Sequence, residues 1–224
     1  MTEPRSTRPA LSIDELLTTT RTVRRRLDLT RPVPLRLVRE CLEIALQAPT
    51  GGNRQGWEWI VVTDPVTRAA IGEVYGRAVR EYQSSPSAAG RPRGDDPELD
   101  AVQRRISDSA RYLGEHLGEV PVHVVPCLHV GSRGPAGLPG GNQAGLWGSI
   151  LPATWSYMLA ARARGLGTAW TTLHLRYEAE VAAILGLPSD VAQAALVPTA
   201  FHTGATFQPA HRRPLDEVLH LDAW

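Results

Sequence analysis

Cysteine is scarce in this sequence, with two residues among 224. Two cysteines cannot build a disulfide framework, so we expect a fold held together by an apolar core and a location in the reducing cytoplasm. Cys41 falls on the apolar face of a predicted helix, and Cys127 falls in an apolar strand. Both positions are typical of core residues, and neither cysteine is predicted to be a nucleophile.

Long apolar runs and an excess of charge of one sign are also missing. No segment reaches the length that spans a bilayer, and the polar stretch from Met1 to Pro9 lacks the apolar segment of a signal peptide. Lysine and arginine total 24 against 23 acidic residues, which gives a net charge of +1. The sequence therefore predicts no nucleic-acid partner and no membrane partner.

The residue patterns of several catalytic classes are absent as well. The seven histidines never occur with carboxylates or thiols at metal-ligand spacing, so we predict no metal site. The serines at residues 83–97 lack the pattern of a nucleophile elbow, which disfavours a serine hydrolase. The glycines at residues 131–141 lack the lysine of a phosphate-binding loop and the strand–turn–helix context of a dinucleotide fold.

The most informative segment that is present runs from Ala48 to Val62, where a predicted helix passes through a small polar loop into a strand. Glycine and threonine allow backbone amides to approach a ligand closely, and side-chain amides both donate and accept hydrogen bonds. The loop suits a flat heterocycle with polar edges, and an ordinary turn is the competing interpretation. The cofactor contacts predicted from this loop are Pro49, Thr50, Gly51, Asn53 and Gln55.

A second segment, Thr20–Arg26, holds four arginines and two threonines in seven residues. It follows a short helix whose start is marked by Ser12 and Glu15 at capping-box spacing. Arginine presents a planar fork of donors that suits phosphate, and two or three of these arginines are enough for one phosphate. A solvated basic face is the competing interpretation.

The length of 224 residues predicts one domain, at residues 12–224, after a flexible tail at residues 1–11. Helices are predicted at residues 34–46, from residue 65, and at 99–117, 146–164 and 177–185. Strands are predicted at 59–62, 120–130, 168–174 and 194–203. Pro126 is expected to interrupt its strand, and Pro152 marks either the start of the long helix or a kink in it. Residues 83–97 are expected to be flexible, and residues 131–145 to form a loop near the ligand.

Taken together, these segments resemble the nitroreductase family of FMN-dependent oxidoreductases. Arg21–Arg24 is similar to the family's Arg-Ser-x-Arg element, and Ala48–Val62 to its Ala-Pro-Ser-x-x-Asn-x-Gln-Pro-Trp element. Gly165–Thr172 resembles the segment after the family's long central helix, and Arg212–Val218 its C-terminal Arg-x-Pro-Leu-x-Glu signature. The four elements occur in the family's order and cover most of the chain. Thr20 replaces a common arginine and Gly56 a common proline, and these departures bear on the substrate more than on the flavin.

The resemblance implies an α+β fold with a mixed, mainly antiparallel sheet flanked by helices. It also implies an intertwined homodimer with two flavins at the interface, in which the C-terminal arm, Thr206–Trp224, crosses to the partner. The arm ends on Leu219, Leu221 and Trp224, and packing of these residues on the chain's own core is the alternative.

The resemblance also implies a role for each motif residue. Arg21, Thr22 and Arg212 would hold the phosphate, and Arg24 would reach the N1/O2 edge of the flavin ring, where negative charge develops on reduction. The loop amides would bond the ring or ribityl groups, and backbone amides after the long helix would point toward N5 or O4. The full predicted cofactor-binding set is Arg21, Thr22, Val23, Arg24, Pro49, Thr50, Gly51, Asn53, Gln55, Trp170, Thr171, Thr172 and Arg212.

The function implied is an FMN-dependent oxidoreductase that moves hydride from NAD(P)H to a small-molecule acceptor in a ping-pong cycle. The acceptor would be a nitroaromatic, a quinone or a related conjugated compound. No catalytic side chain is predicted, because flavin N5 carries the chemistry. A flavin-dependent dehydrogenase or reductive dehalogenase acting on a specific small molecule, and a flavin-binding protein without turnover, are the alternatives.

Overall fold

The computed structural model describes residues 11–88, 90, 97–131, 143–204 and 206–224. The helices of the described residues are α1 (Ile13–Thr19), α2 (Leu35–Ala45), α3 (Pro65–Ser84), α4 (Pro97–His116), α5 (Ala144–Ala163) and α6 (Glu178–Leu185). The strands are β1 (Trp57–Val62), β2 (Val122–His129), β3 (Leu166–Thr168), β4 (Val191–Gln193) and β5 (Val197–Phe201). Most of the predicted tail at 1–11 and of the predicted loop at 131–145 lies outside the described residues, as does part of the 83–97 segment.

The strands form one antiparallel sheet in the order β1-β2-β5-β3, and β4 also pairs with β2. A parallel bridge between Thr22 and Thr168 places the N-terminal segment beside β3. Helices cover both faces of the sheet, as the clusters of buried side chains show. The prediction of an α+β fold with a mixed, mainly antiparallel sheet is therefore confirmed.

The central strand β2 has buried side chains on both faces of the sheet, as alternation along a strand requires. Val122 and Val124 pack in one cluster with Cys41 of α2. Val125 and Cys127 pack on the opposite face with residues of α3 and α4. Both cysteines are buried and free, and burial raises the pKa of the Cys41 thiol to about 11 and that of Cys127 to about 12.

Local capping chemistry sets the helix starts much as predicted. Ser12 and Glu15 form the reciprocal capping box of α1. Asp64 caps α3 by accepting the Thr67 amide at 2.8 Å, and Pro65 occupies the first turn. Pro34 was expected at the first helical position but is the N-cap residue of α2, with an extended backbone. A one-residue shift of this kind is typical of helix ends.

Three predicted strands differ in the structure. The strand predicted at 194–203 is β5, which covers only Val197–Phe201, and the short strand β4 before it was not predicted. β2 continues through Pro126, whose carbonyl accepts the Ala194 amide at 2.8 Å. The nitrogen of a strand residue points to the same side as its carbonyl, so the missing N–H faces the place where the chain passes from β4 to β5. The predicted strand at 168–174 is shorter in the structure. Regular pairing ends at Thr168, an isolated bridge joins Thr171 to Leu196, and the chain then turns into a 3₁₀ helix at Leu173–Tyr177.

The long helix α5 starts at Ala144 and contains Pro152 in its interior. Of the two alternatives for this proline, a helix that begins close to it is thus ruled out. Gly165 follows the helix with a φ of +79°, a left-handed conformation that ends helices and favours glycine. The helix buries residues against α2 and the sheet, and the chain then enters β3 beside the N-terminal segment.

Candidate functional site

The arginine-rich segment is anchored along β3. The Val23 amide donates to the Thr168 carbonyl at 2.8 Å, and the Val23 side chain is buried. A Cβ on Gly167 would lie 3.1 Å from Val23 Cγ1, so glycine in β3 allows this close approach. The arginines on either side of Val23 are thereby held at the edge of the sheet.

These arginines line a cavity of about 750 Å³ together with residues of α4, α5 and the C-terminal arm. No carboxylate lines the cavity among the residues that the structure describes. Its positively charged and apolar lining suits an anionic molecule with a flat apolar part. The arginines that line it are Arg21, Arg24, Arg25, Arg26, Arg105 and Arg212.

Arg24 is the most informative of these side chains. It is partly buried, and its Nη1 donates to Ser109 Oγ at 3.2 Å. Within the described part of the chain it forms no ion pair, and burial lowers the pKa of its guanidinium. A guanidinium withdrawn from water without a counter-ion is costly, so the position favours an anionic ligand.

Arg21 and Arg212 lie close enough to influence one another. Burial, followed by the charge of Arg212, lowers the pKa of Arg21. Arg21 Nε and Nη2 donate to the Gln208 carbonyl at 3.0 and 2.5 Å, which ties the segment to the arm. Arg212 is exposed and donates to the His211 carbonyl at 3.1 Å. An anion between the two guanidinium groups would relieve their repulsion.

A buried tyrosine that was not singled out from the sequence links two of the predicted residues. The Thr171 hydroxyl donates to the Tyr75 hydroxyl at 2.9 Å, and both side chains are buried. Burial raises the pKa of Tyr75, while the Thr171 hydrogen bond and the charge of Arg24 oppose that rise. Tyr75 is thus bonded to Thr171 and close enough to Arg24 for the charge of Arg24 to act on it. Its helical spacing with Ile71 and Val79 indicated only a core position.

The glycine-containing loop has an unusual backbone. Gly52, Asn53 and Gln55 have φ angles of 60°, 54° and 47°, in the left-handed region that side chains other than glycine seldom adopt. Gln55 Nε2 donates to Asn53 Oδ1 at 3.0 Å, and the Gln55 amide donates to Thr50 Oγ1 at 3.3 Å. These bonds hold the strained conformation, and strain of this kind clusters at ligand-binding sites.

The loop lines a second cavity, of about 240 Å³, together with His129 and Ser149. This cavity shares no lining residue with the arginine-lined cavity. Within one chain the predicted set is therefore divided between two places. The larger cavity takes Arg21, Thr22, Val23, Arg24 and Arg212, and the smaller one takes Thr50, Gly51 and Gln55. The residues that line neither cavity are Pro49, Asn53, Trp170, Thr171 and Thr172.

The described residues contain neither a group of metal-binding side chains nor a membrane-spanning helix. No group of three or more histidine, cysteine or acidic side chains is placed to bind a metal ion there. Within the same residues, no helix combines the length and apolar character needed to cross a membrane.

Comparison with known proteins agrees with the fold and the motifs. The profile of the Nitroreductase family matches residues 17–200. An NADH dehydrogenase of Thermus thermophilus is 31% identical over 200 residues, which cover 84% of this chain and 86% of that protein.

Solved structures of similar fold cover nearly the whole chain. A variant of the FMN and NADPH-dependent nitroreductase NfnB from Sphigopyxis sp. strain HMH is 26% identical with a TM-score of 0.68, over 96% of this chain and 100% of that one. Iodotyrosine deiodinase bound to FMN and 3-iodo-L-tyrosine is 19% identical with a TM-score of 0.71, over 95% of this chain and 100% of that one, and shows the fold alone. Because the family profile matches most of its length, this chain belongs to the nitroreductase family.

Proposed function

We propose that this chain is an FMN-dependent oxidoreductase that takes hydride from NADH or NADPH and delivers it to a nitroaromatic, a quinone or a related conjugated acceptor in a ping-pong cycle. The observation that carries the proposal is Arg24, a partly buried cation without an ion pair among the described residues, in a cavity lined by further arginines. Family membership and the names of the relatives, an NADH dehydrogenase and an FMN and NADPH-dependent nitroreductase, support the same interpretation.

The residues of the arginine-lined cavity fit FMN. Arg21 and Arg212 would hold the phosphate, with the Thr22 hydroxyl as an additional donor. Arg24, fixed by Ser109 and facing Tyr75, would stabilise negative charge at the edge of the ring. When bound, FMN would supply the ring position that accepts and returns hydride. The chain's own side chains bind and orient, so the absence of a nucleophile among the sequence motifs is consistent with the proposal.

We further propose that the active form is a homodimer in which the partner supplies the missing half of each site. Eight of the thirteen predicted cofactor contacts are divided between two separate cavities of one chain, and a second copy could bring the loop of one chain to the arginines of the other. In the single chain the C-terminal arm leaves Leu215 67% exposed, Leu221 78% exposed and Trp224 fully exposed. Packing on the chain's own core therefore does not cover these residues, and a partner subunit would.

A spectroscopic titration tests the proposed function. Purified protein should carry a flavin absorbance that NADH or NADPH bleaches without oxygen and that a nitroaromatic or a quinone restores. Bleaching that only a halogenated phenol restores would favour a reductive dehalogenase, and bleaching without any of these acceptors would favour a dedicated dehydrogenase. A flavin spectrum that neither dinucleotide changes would indicate a flavin-binding protein without this turnover and would overturn the proposal.

A matched pair of glutamine substitutions tests whether the loop at residues 50–55 belongs to the shared site. Gln55→Ala removes the side chain that bonds Asn53, while Gln47→Ala removes an exposed side chain that makes no hydrogen bond in the described structure and lines neither cavity. We expect lower flavin occupancy in Gln55→Ala and near-normal occupancy in Gln47→Ala. Equal occupancy in both would remove the loop from the proposed site.

A further inference from the structure

A third cavity, of about 500 Å³, adjoins the arginine-lined cavity along α4. The two cavities share residues of α4 and of the arm, so a ligand in one can extend into the other. The shared residues are Val102, Arg105, Ile106, His211 and Arg212. The third cavity also reaches Glu98, the one acidic side chain among its described lining residues. Cationic groups and apolar side chains dominate the remainder of its wall.

Arg105 is a cation of the third cavity that has no partner among the described residues. Among the described residues it makes no hydrogen bond, ion pair or ring contact. Other arginines of the larger cavity are engaged: Arg25 lies 5.9 Å from the Tyr112 ring, and Arg26 Nε donates to the Thr203 carbonyl at 2.8 Å. The guanidinium of Arg105 is therefore available to a ligand.

The position of Arg105 on α4 places it near the proposed flavin. Val102, Arg105 and Ser109 recur at steps of three and four, so they share one face of the helix. Ser109 accepts a hydrogen bond from Arg24 at 3.2 Å, and Arg105 lies one turn before it. A molecule that meets the ring beside Arg24 could extend along this face to Arg105.

The charge of the site exceeds what FMN requires. FMN carries one phosphate, and two or three arginines suffice for a phosphate. Arg21 and Arg212 serve that role in the proposed function, and Arg24 serves the ring. Arg105 is then surplus to the cofactor, although it faces the same space.

We propose that the third cavity is a subsite for an anionic group of a substrate that exchanges hydride with the flavin, and that Arg105 selects for that group. The proposal rests on the proposed function and names its substrate class: a molecule with a conjugated part beside the flavin and a phosphate or carboxylate at Arg105. The group has two sources, which are the 2′-phosphate of NADPH or a carboxylate on the acceptor. Leu99, Val102 and Ile106 would contact the apolar part between the two ends.

Kinetics of the holoprotein separate the two sources. One arm compares kcat/KM for NADPH and NADH, and the other compares 4-nitrobenzoate with neutral 4-nitrotoluene at saturating NADH. We expect Arg105→Gln to lower the preference for the anionic member by about tenfold in one arm, as the loss of one charge-assisted hydrogen bond predicts. Arg105→Lys should retain part of the preference. The adjacent Arg104→Gln is the control, since Arg104 is exposed like Arg105 but lines neither cavity.

A direct binding measurement tests the subsite without relying on turnover. Calorimetry with adenosine 2′-phosphate and with 4-nitrobenzoate should show weaker binding of one of them to Arg105→Gln than to Arg104→Gln. If neither dinucleotide bleaches the flavin but this difference remains, the proposed function fails and the anion subsite stands. Unchanged kinetic ratios and unchanged binding of both compounds in Arg105→Gln would overturn the subsite, whatever the protein's turnover.

Discussion

Two of the three segments that supply arginines to the larger cavity, Thr20–Arg26 and the C-terminal arm, are held very differently. Thr20–Arg26 is fixed to the sheet by the bond between Val23 and Thr168, and Arg26 binds the carbonyls of the chain after β5. The C-terminal arm is anchored near its start, where the Phe207 ring lies 4.3 Å from the Arg26 guanidinium carbon. From residue 211 to 224 every side chain of the arm is exposed.

One half of the anion site is therefore preorganised, and the other half depends on a second event. The N-terminal arginines keep their geometry through backbone pairing, so a ligand pays little to order them. Arg212 lies on a segment that its own chain leaves open, so anion binding and covering of the arm should stabilise each other. Substitutions in the dependent half and in the fixed half should therefore have different effects on FMN binding and on flavin reduction.

Removal of the dependent half should have the largest effect. A chain that ends at Gln208 loses Arg212 and the exposed apolar residues but retains Phe207 and the carbonyl that Arg21 contacts. We expect this truncated protein to be monomeric or poorly soluble and to purify without FMN. Light scattering and flavin absorbance on one sample measure both outcomes. A flavin-loaded dimer would show that neither property depends on the arm.

A single substitution in the arm should have a smaller and more specific effect. Arg212→Ala removes one charge-assisted phosphate contact, so we expect FMN binding to weaken by about 2 kcal/mol. Fluorescence titration of the apoprotein with FMN measures the change. Arg213→Ala is the control, because Arg213 is exposed and lines neither the arginine-lined cavity nor the third cavity. Equal losses in the two variants would mean that the arm contributes only diffuse positive charge.

In the fixed half, Arg24→Gln should leave FMN bound but make it harder to reduce. The loss of the partly buried cation should lower the reduction potential by about 30 to 60 mV, at about 30 mV per 1.4 kcal/mol for a two-electron couple. Stopped-flow bleaching by NADPH should slow in parallel. Arg25→Gln removes the same charge from a more exposed neighbour and should change both values less. Equal shifts in the two variants would assign Arg24 to a general basic face.

Features set by residues close in the chain could be predicted from the sequence, whereas features set by distant strand partners could not. The capping box of α1 and the Asp64–Pro65 start of α3 were predicted because their chemistry lies within a few residues. The prediction that Pro126 interrupts β2 was wrong. Whether the strand tolerates a missing N–H depends on what lies opposite it, and that is set by the pairing of β2 with β4 and β5. The end of β3 at Thr168 likewise depends on its distant partner β5.

The motifs identified the candidate residues but not their arrangement. Arg21 and Arg24 are three residues apart in one motif, so the sequence predicted that both contact the same ligand. The structure places both at one cavity. The division between this cavity and the Thr50 loop could not be predicted from spacing, because it depends on the path of the whole chain. Tyr75 was missed for the same reason: its partner Thr171 is 96 residues away.

The smallest expected effect concerns Tyr75, which is close to Arg24 of the fixed half. Tyr75→Phe removes the acceptor of the buried Thr171 hydroxyl and should lower the free energy of unfolding by about 1 kcal/mol. Because Tyr75 is also close to Arg24, the flavin reduction rate should change slightly. The affinity for FMN should stay the same, since the phosphate contacts of Arg21 and Arg212 are unchanged. Tyr112→Phe is the control, since the Tyr112 hydroxyl makes no hydrogen bond in the described structure. Chemical denaturation of both apoproteins measures the difference. If Tyr75→Phe were as stable as Tyr112→Phe and the flavin were unaffected, the contact would be incidental packing, and the rigidity of the N-terminal half would rest on the backbone pairing with β3 alone.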